Sequence, residues 1–392
     1  MTSSDLPERA SQGSCFDQEL KAMESATGLE TIAAAFALPA AVRRIAPLGH
    51  GNVNDTYLVT CADGQHYVLQ RLNTAVFKQP EKVMANIALL GEHVATRAWP
   101  QGHQPRRWEV PTLLRCRDPG ADGRHRHWLK RPDGAWRMLS YVGDSISHDT
   151  VQGPAHAAEV GRALGGFHRL IHDLPSAALH DTLEGFHITP RYLEAYDRIS
   201  SQSGVPVCST RRACEAFVEA RRLRVPVLER ARASGKLPLR PIHGDPKVNN
   251  ILLDRCSGQA IALIDLDTVK PGLVHYDIGD CLRSGCNPAG EEADDLDAVS
   301  FSMELCRPML AGYLELARPF LTPAELDHIG DAVWLISFEL GLRFFSDYLN
   351  GNRYFKCRDP QQNLQRAQVQ FRLTESIEAQ QQAIARLVQE LR

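Results

Sequence analysis

The chain has 392 residues, 43% of them hydrophobic, with 44 basic against 47 acidic side chains and a formal net charge of -3. That length and apolar content can bury substantial cores and suggest two lobes rather than one domain. The near-neutral balance, with no sustained basic stripe and no apolar run long enough to cross a bilayer, argues against nucleic-acid and membrane partners.

Residues 1–15 are polar and Ser-rich, the pattern of a disordered terminus, and Phe16 to Leu38 reads as a helix stopped by Pro39. Short β signals follow at Val42 to Leu48, Thr56 to Thr60 and Tyr67 to Leu72, separated by Gly, Asn and Asp turns. A helix from Glu81 to Ala98 opens at Pro80 and puts Val83, Ile87, Leu90 and Val94 on one face. Trp128 to Lys130 and Trp136 to Tyr141 flank Arg131-Pro132-Asp133-Gly134, the signature of a hairpin. Beyond Val142 the pattern is helical almost throughout, broken only by a loop and hairpin near 248 to 266. The expected fold class is therefore α+β. An antiparallel-sheet lobe spans 16–142, with one or two helices, and a larger helical lobe spans 143–392.

The segment Arg211 to Arg240 is locally basic and reads as the solvated face of helices. Glu291-Glu292-Ala293-Asp294-Asp295 reads as a solvated helix start. From Asn363 to Arg392, apolar residues at helical spacing are expected to pack on the helical lobe. Ten cysteines, scattered and without a Cys-x-x-Cys pair, read as reduced thiols. The start Met1-Thr2-Ser3-Ser4-Asp5 lacks the basic and apolar regions of a secretory signal, so a cytoplasmic location is expected.

Chemistry enters at His243-Gly244-Asp245-Pro246-Lys247-Val248-Asn249-Asn250. Phosphoryl transfer to a hydroxyl depends on positioning and charge neutralisation, and this run supplies both. Asp245 is the candidate base and Lys247 a cation for the γ-phosphate. Asn250, five residues on, and Asp265, at the end of the apolar strand Ala260 to Ile264, offer hard oxygen ligands to Mg²⁺. His243 is expected to brace the loop rather than carry protons. The order is that of a protein-kinase catalytic loop, with Asp265 in the place of the metal-binding aspartate.

Upstream, Gly49-His50-Gly51-Asn52-Val53-Asn54-Asp55 lies between two strands, where Gly49 and Gly51 allow close approach to phosphates and Asn52 follows. It lacks the Lys-Ser/Thr ending of a P-loop. The third strand presents Gln70 and Arg71, which face opposite sides; Arg71 is favoured for its charge, with Glu81 or Glu92 as partner. A strand lobe feeding a helical lobe is the kinase architecture, with ATP held between the lobes. Met138 to Gly143, including Ser140 and Val142, would be its hinge.

Taken together, Leu48 to Tyr57, Gln70 to Asn73, His243 to Asn250 and Asp265-Leu266-Asp267-Thr268-Val269-Lys270-Pro271-Gly272 resemble the aminoglycoside phosphotransferase and choline kinase superfamily. Within it the chain looks most like the N-acetylhexosamine 1-kinases, a likeness carried further by Gly185 to Tyr192 and Gly341 to Gly351. The resemblance covers roughly Ile45 to Lys356. It implies that Asp245 is the base and that Asn250 and Asp265 bind Mg²⁺. It further implies that Asp267 contacts metal or sugar, that Arg343 and Tyr354 hold the hexosamine, and that Asp277 hydrogen-bonds the catalytic loop. Asp280 and Arg283 fit either the acceptor pocket or the scaffold.

Two departures stand out. Asn52 replaces the His associated with the sugar kinases, and Pro246 replaces Thr, removing a backbone donor. The expected partners are ATP and an amino sugar, acting on a monomer or homodimer. Alternatives are a kinase of another small alcohol, such as an aminoglycoside or choline, or an inactive kinase-like module, for which Gln70 is the main support.

Overall fold

The structure is a computed structural model that describes residues 28–49, 53–99, 106–120, 123 and 125–392. It divides into two compact units, one of residues 1–80 with 112–141 and the other of residues 81–111 with 142–392.

The first unit is built on β1 (Val42–Pro47), β2 (Asp55–Cys61), β3 (His66–Leu72), β4 (Leu129–Arg131) and β5 (Gly134–Ser140). They form one antiparallel sheet in the order β1-β2-β3-β5-β4. Strand alternation sorts its side chains onto two faces. Val59, Leu69, Trp136 and Met138 point to one of them and are buried against Ile32, Ala33 and Phe36. The expected helix from Phe16 to Leu38 appears, within the described residues, as helix over 28–34. Phe36 then makes a bridge to Cys116 instead of continuing the turn. The Arg131-to-Gly134 hairpin is present, and its Asp133 carboxylate accepts from the Trp136 indole N–H at 3.2 Å.

The second unit opens with α1 (Pro80–Ala95), β6 (Ser145–Ile146), α2 (Pro154–Ile171), α3 (Thr189–Gln202), α4 (Ser209–Arg221) and α5 (Val227–Ala233). It continues through β7 (Arg240–Ile242), β8 (Ile251–Asp254), β9 (Ala260–Leu263), β10 (Lys270–Gly272) and α6 (Val274–Gly285). It ends in α7 (Met303–Ala317), α8 (Pro323–Asp327), α9 (Ile329–Leu349), α10 (Gln362–Ala379) and α11 (Gln381–Glu390). The sequence boundary at 142 left α1 with the strands, whereas its contacts group it with the helices. The reason is Asn86, whose buried side chain donates to Val269 O and His180 O and accepts from His180 N at 2.8–2.9 Å.

Several charged segments find partners. Arg211, Arg221, Arg222, Arg224 and Arg240 all pair with carboxylates. The acidic run at 291–295 ends at Asp295, which caps a short 3-10 turn at Leu296–Ala298, while Arg283 pairs with Glu291 and Arg366 with Glu292. The C-terminal helices bury Leu364, Phe371, Ile377, Ile384 and Leu387. The nine cysteines among the described residues are all free thiols. No described helix is long and apolar enough to cross a membrane.

Helices α2 and α7 cross closely because both carry glycine at the contact. A Cβ on Gly161 would stand 1.9 Å from Met309 O, and one on Gly312 would stand 2.3 Å from Ala158 O. Gly161→Ala gains roughly 1 kcal/mol of helix propensity but overpacks against backbone, so a net loss of about 2 kcal/mol is expected. A lowered Tm would show it; an unchanged Tm would contradict the close crossing.

Candidate active site

The catalytic loop is fixed from below by one buried carboxylate. Asp277 on α6 is fully buried, and its Oδ2 accepts from His243 N at 2.7 Å while its Oδ1 accepts from Gly244 N at 2.8 Å. The His168 ring on α2 donates to Asp277 Oδ2 at 2.8 Å and meets the Tyr313 hydroxyl at 3.1 Å. Burial would raise the Asp277 pKa, but His168 and the loop N–H groups hold it below the ordinary carboxylate value. Gly244 adopts φ +89, and a Cβ there would come within 2.6 Å of Thr268 O, so only glycine suits this bend.

His243 closes the other side. Its Nε2 donates to Ile264 O at 3.0 Å and its Nδ1 accepts from Asp245 N at 3.2 Å, so the ring is neutral with its proton on Nε2. Burial lowers its pKa, in keeping with that tautomer. The ring thereby ties the base loop to the residue preceding Asp265, a brace that uses both nitrogens.

Asp245 is half-buried, with Lys247 Nζ 3.2 Å from its Oδ2. The Asp245 carboxylate, opposed by burial and helped by Glu291 and Asp280, keeps the Lys247 ammonium charged well above the ordinary lysine range. Asn250 Nδ2 donates to Asp245 O at 2.8 Å, which directs its amide oxygen elsewhere. Its own carbonyl accepts from Ile264 N at 2.9 Å, bringing the Asn250 and Asp265 positions together. Asp265 is exposed and sits at φ 64, ψ 61, a left-handed conformation that a non-glycine residue adopts at a cost. An amide oxygen and an exposed carboxylate fit Mg²⁺, which keeps several waters and phosphate oxygens rather than a full protein cage. No group of three or more His, Cys, Asp or Glu suited to a metal occurs among the described residues.

Other expected residues fall differently. Asp267 is 2% exposed, unlike Asp265, and its backbone carbonyl accepts from Thr182 Oγ1 at 3.2 Å. Arg71 does not stand as the expected phosphate cation. Alternation puts it in the cross-strand row of Asp55 and Trp136, on the core-bearing face, where its Nε donates to Asp55 Oδ2 at 2.9 Å. Its carboxylate partner is thus Asp55, and Glu81 and Glu92 are exposed. The opposite face carries Thr56, Gln70 and Arg137, with the Arg137 guanidinium donating to Gln70 Oε1 at 2.7 and 2.9 Å.

Gly49 has φ 69, a conformation suited to the turn after β1, while Gly51 and Asn52 lie outside the described residues. Ser140, one of the expected hinge residues, donates its N–H to Thr112 O at 2.9 Å. Val142 packs its side chain with Ile261, Ala262, Leu252 and Ile264, and its carbonyl accepts from Ser145 Oγ at 2.8 Å.

Arg343 on α9 is encircled by rings, its guanidinium carbon 5.1 Å from Phe186, 5.2 Å from Tyr192, 5.5 Å from Phe355 and 6.0 Å from Tyr354. Among the described residues no carboxylate forms an ion pair with it. Tyr354 is 55% exposed, on a segment held by a residue that sequence reasoning missed. The Asp347 carboxylate accepts from the N–H groups of Arg353, Tyr354 and Phe355, each at 2.9 Å, and from Asn363 Nδ2 at 3.0 Å. A surface pocket of ≈ 700 Å³ opens on this segment, lined by Tyr348, Arg353, Tyr354, Phe355 and Lys356 among others, but not by Asp245, Asn250 or Asp265. Arg283 is buried between Asp280 and Glu291, which makes it scaffold. Asp280 keeps one buried oxygen, Oδ2, without a hydrogen-bond partner among the described residues.

The depressed Asp277 pKa has a measurable sign. Its pairing stabilises the fold above the ordinary aspartate pKa of about 4, and that contribution is lost as pH falls through the lower folded-state value. Asp277→Asn is expected to cost about 3 kcal/mol at neutral pH and to flatten the acid limb of Tm against pH. A variant with the parent's acid limb would contradict the clamp.

Solved structures of similar fold carry related names. A microcompartment-associated aminopropanol kinase is 18% identical, matching 92% of this chain and 98% of its own, with a TM-score of 0.60. An aminoglycoside phosphotransferase from Alicyclobacillus acidocaldarius is 14% identical over 92% and 96% of the two chains, with a TM-score of 0.56. A choline kinase from Cryptosporidium parvum is 13% identical over 89% and 93%, with a TM-score of 0.55. At such identities the likeness is one of fold. The sequence model of the phosphotransferase enzyme family matches residues 44–308, which include the whole loop from His243 to Asp265. With more than half of its length matched, the chain belongs to the phosphotransferase enzyme family.

Proposed function

We propose that this chain transfers the γ-phosphoryl group of ATP to the anomeric hydroxyl of an N-acetylhexosamine. As an ATP-dependent phosphotransferase with an alcohol group as acceptor, it needs a base for the hydroxyl proton and positive charge for the phosphoryl oxygens. Asp245 takes the proton in this reading, and Lys247, whose ammonium lies 3.2 Å from it, faces the transferred group. Asn250 and Asp265 hold Mg²⁺, which when bound neutralises charge on the phosphate oxygens. The partly buried Leu252 and Ile264, packed against Val142, offer apolar side chains suited to the nucleobase.

The acceptor assignment rests on Arg343. A permanently charged guanidinium that forms no ion pair with a carboxylate among the described residues disfavours ammonium acceptors such as choline or an aminoglycoside, because like charges repel. Its N–H groups suit ring hydroxyls or an acetamido oxygen, and the surrounding aromatic faces suit the C–H face of a sugar. In the acidic run at 291–295, which could otherwise attract a cationic acceptor, Glu291 and Glu292 are engaged by Arg283 and Arg366. Asp280 Oδ2 supports the same reading as an acceptor for a sugar hydroxyl.

Competition among N-acetylglucosamine, N-acetylgalactosamine, kanamycin and choline tests the assignment. Phosphate is expected on the N-acetylhexosamines, and preferential transfer to choline or kanamycin would overturn it. Asp245→Asn is expected to lower kcat at least roughly a hundredfold with nucleotide affinity nearly unchanged; wild-type turnover in that variant would remove Asp245 as the base. Arg343→Gln is expected to raise the sugar KM about tenfold or more and leave the KM for ATP in place, measured by steady-state kinetics.

A further inference from the structure

The backbone of the catalytic loop is held on two sides, and only one of them is accounted for by Asp277. The carbonyl of Gly244, which shares its peptide bond with the Asp245 N–H, accepts from His187 Nε2 at 2.8 Å. The other ring nitrogen, His187 Nδ1, lies 2.9 Å from Glu339 Oε1. Glu339 Oε2 in turn accepts from Thr189 Oγ1 at 2.7 Å. His187 and Glu339 are 4% and 1% exposed.

A carbonyl cannot donate, so Nε2 carries hydrogen. With Glu339 ionised, Nδ1 carries hydrogen as well, and the ring is an imidazolium. We propose that His187 is a positioning residue for phosphoryl transfer, a buried imidazolium that couples Glu339 to the Gly244–Asp245 peptide and so fixes the base. The assignment rests on the reading of Asp245 as the base.

The local backbone supports a dedicated role. His187 sits at φ 65, a strained conformation for a non-glycine residue, one residue before the turn into α3. Lys270 Nζ donates to Leu183 O at 3.1 Å and to Phe186 O at 3.4 Å, fastening the segment that carries the ring. From Glu339 a hydrogen-bonded chain runs through His187 to the Gly244–Asp245 peptide, then through His243 to Ile264, beside Asp265. One connected chain thus reaches the base and the edge of the metal strand.

The titratable and charged groups that face the ring are Glu339 and, beyond it, Arg343 on α9; Asp280 and Tyr276 on α6; Tyr192 on α3; and Asp245 on the loop itself. Burial disfavours a charged ring, yet Glu339 and Asp280 hold its pKa above the ordinary histidine value. The sign follows: the imidazolium persists to higher pH than that of an ordinary histidine and is lost as pH rises through that raised value. Loss of either N–H breaks one of its two hydrogen bonds.

Two measurements decide the matter. Nitrogen NMR of the full chain labelled with ¹⁵N-histidine is expected to show both His187 ring nitrogens protonated at neutral pH; a neutral ring would overturn the proposal whatever the substrate. Wild-type kcat is expected to fall on an alkaline limb that His187→Gln abolishes, with kcat lowered roughly tenfold to a hundredfold and the KM for ATP unchanged. Wild-type kcat and pH profile in His187→Gln would contradict the role, as would a lowered Tm with kcat intact. If that variant does not fold, Glu339→Gln and the wild-type NMR titration carry the same test. Turnover retained in Asp245→Asn would sink the base assignment, and with it the role of His187 in catalysis, while leaving the protonation state of the ring to NMR.

Discussion

The fully buried Asp277 carboxylate is the constraint on which the site depends. By accepting the N–H groups of both His243 and Gly244 it fixes two successive peptides at the point where the chain leaves β7 for the catalytic loop. A buried carboxylate is costly unless its oxygens are satisfied, and here His168 and the loop backbone satisfy them. The same bonds that make the charge tolerable make the loop rigid. Stability and positioning of Asp245 are two readings of one arrangement, and this is why the loop needs glycine at 244 and a helix carrying Asp277 beneath it.

From that anchor the remaining parts follow by short links. His243 joins the loop to the end of β9, and Asn250 joins β8 to the same place through Ile264. The pairing of β8 with β9 thus sets the separation of Asn250 and Asp265, and the left-handed backbone at Asp265 turns its carboxylate outward. Asp347 does for residues 353–355 what Asp277 does for the loop. Three consecutive N–H groups converge on one carboxylate, and Tyr354 is presented from a fixed segment.

Much of this was legible in the sequence, and the exceptions have physical reasons. The strands of the first unit, the Arg131-to-Gly134 hairpin and the loop spacing from Asp245 to Asn250 and Asp265 follow from local patterns. Arg71 was misplaced because alternation says only that Gln70 and Arg71 face opposite sides. Which side holds the core depends on Ile32, Ala33 and Phe36, forty residues away in the chain by rough count. Arg137 had no signal at all, since its partner Gln70 lies on another strand. The acidic run at 291–295 gave no sign of its arginine partners, Arg283 and Arg366, which lie on other helices. His187 and Asp347 were visible only as members of quoted runs, because their roles are set by backbone groups that a sequence does not display.

The loop accounts for phosphoryl transfer as a reaction class; in the proposed reading, Arg343 and Tyr354 select the hydroxyl it serves. The account's central claim is therefore regiochemical. The most direct measurement is ³¹P NMR of the product formed from ATP, Mg²⁺ and an N-acetylhexosamine, read for coupling between phosphorus and the anomeric proton. The account predicts a single phosphomonoester coupled to that proton. Phosphate on any other hydroxyl, or release of inorganic phosphate without a sugar ester, would contradict it.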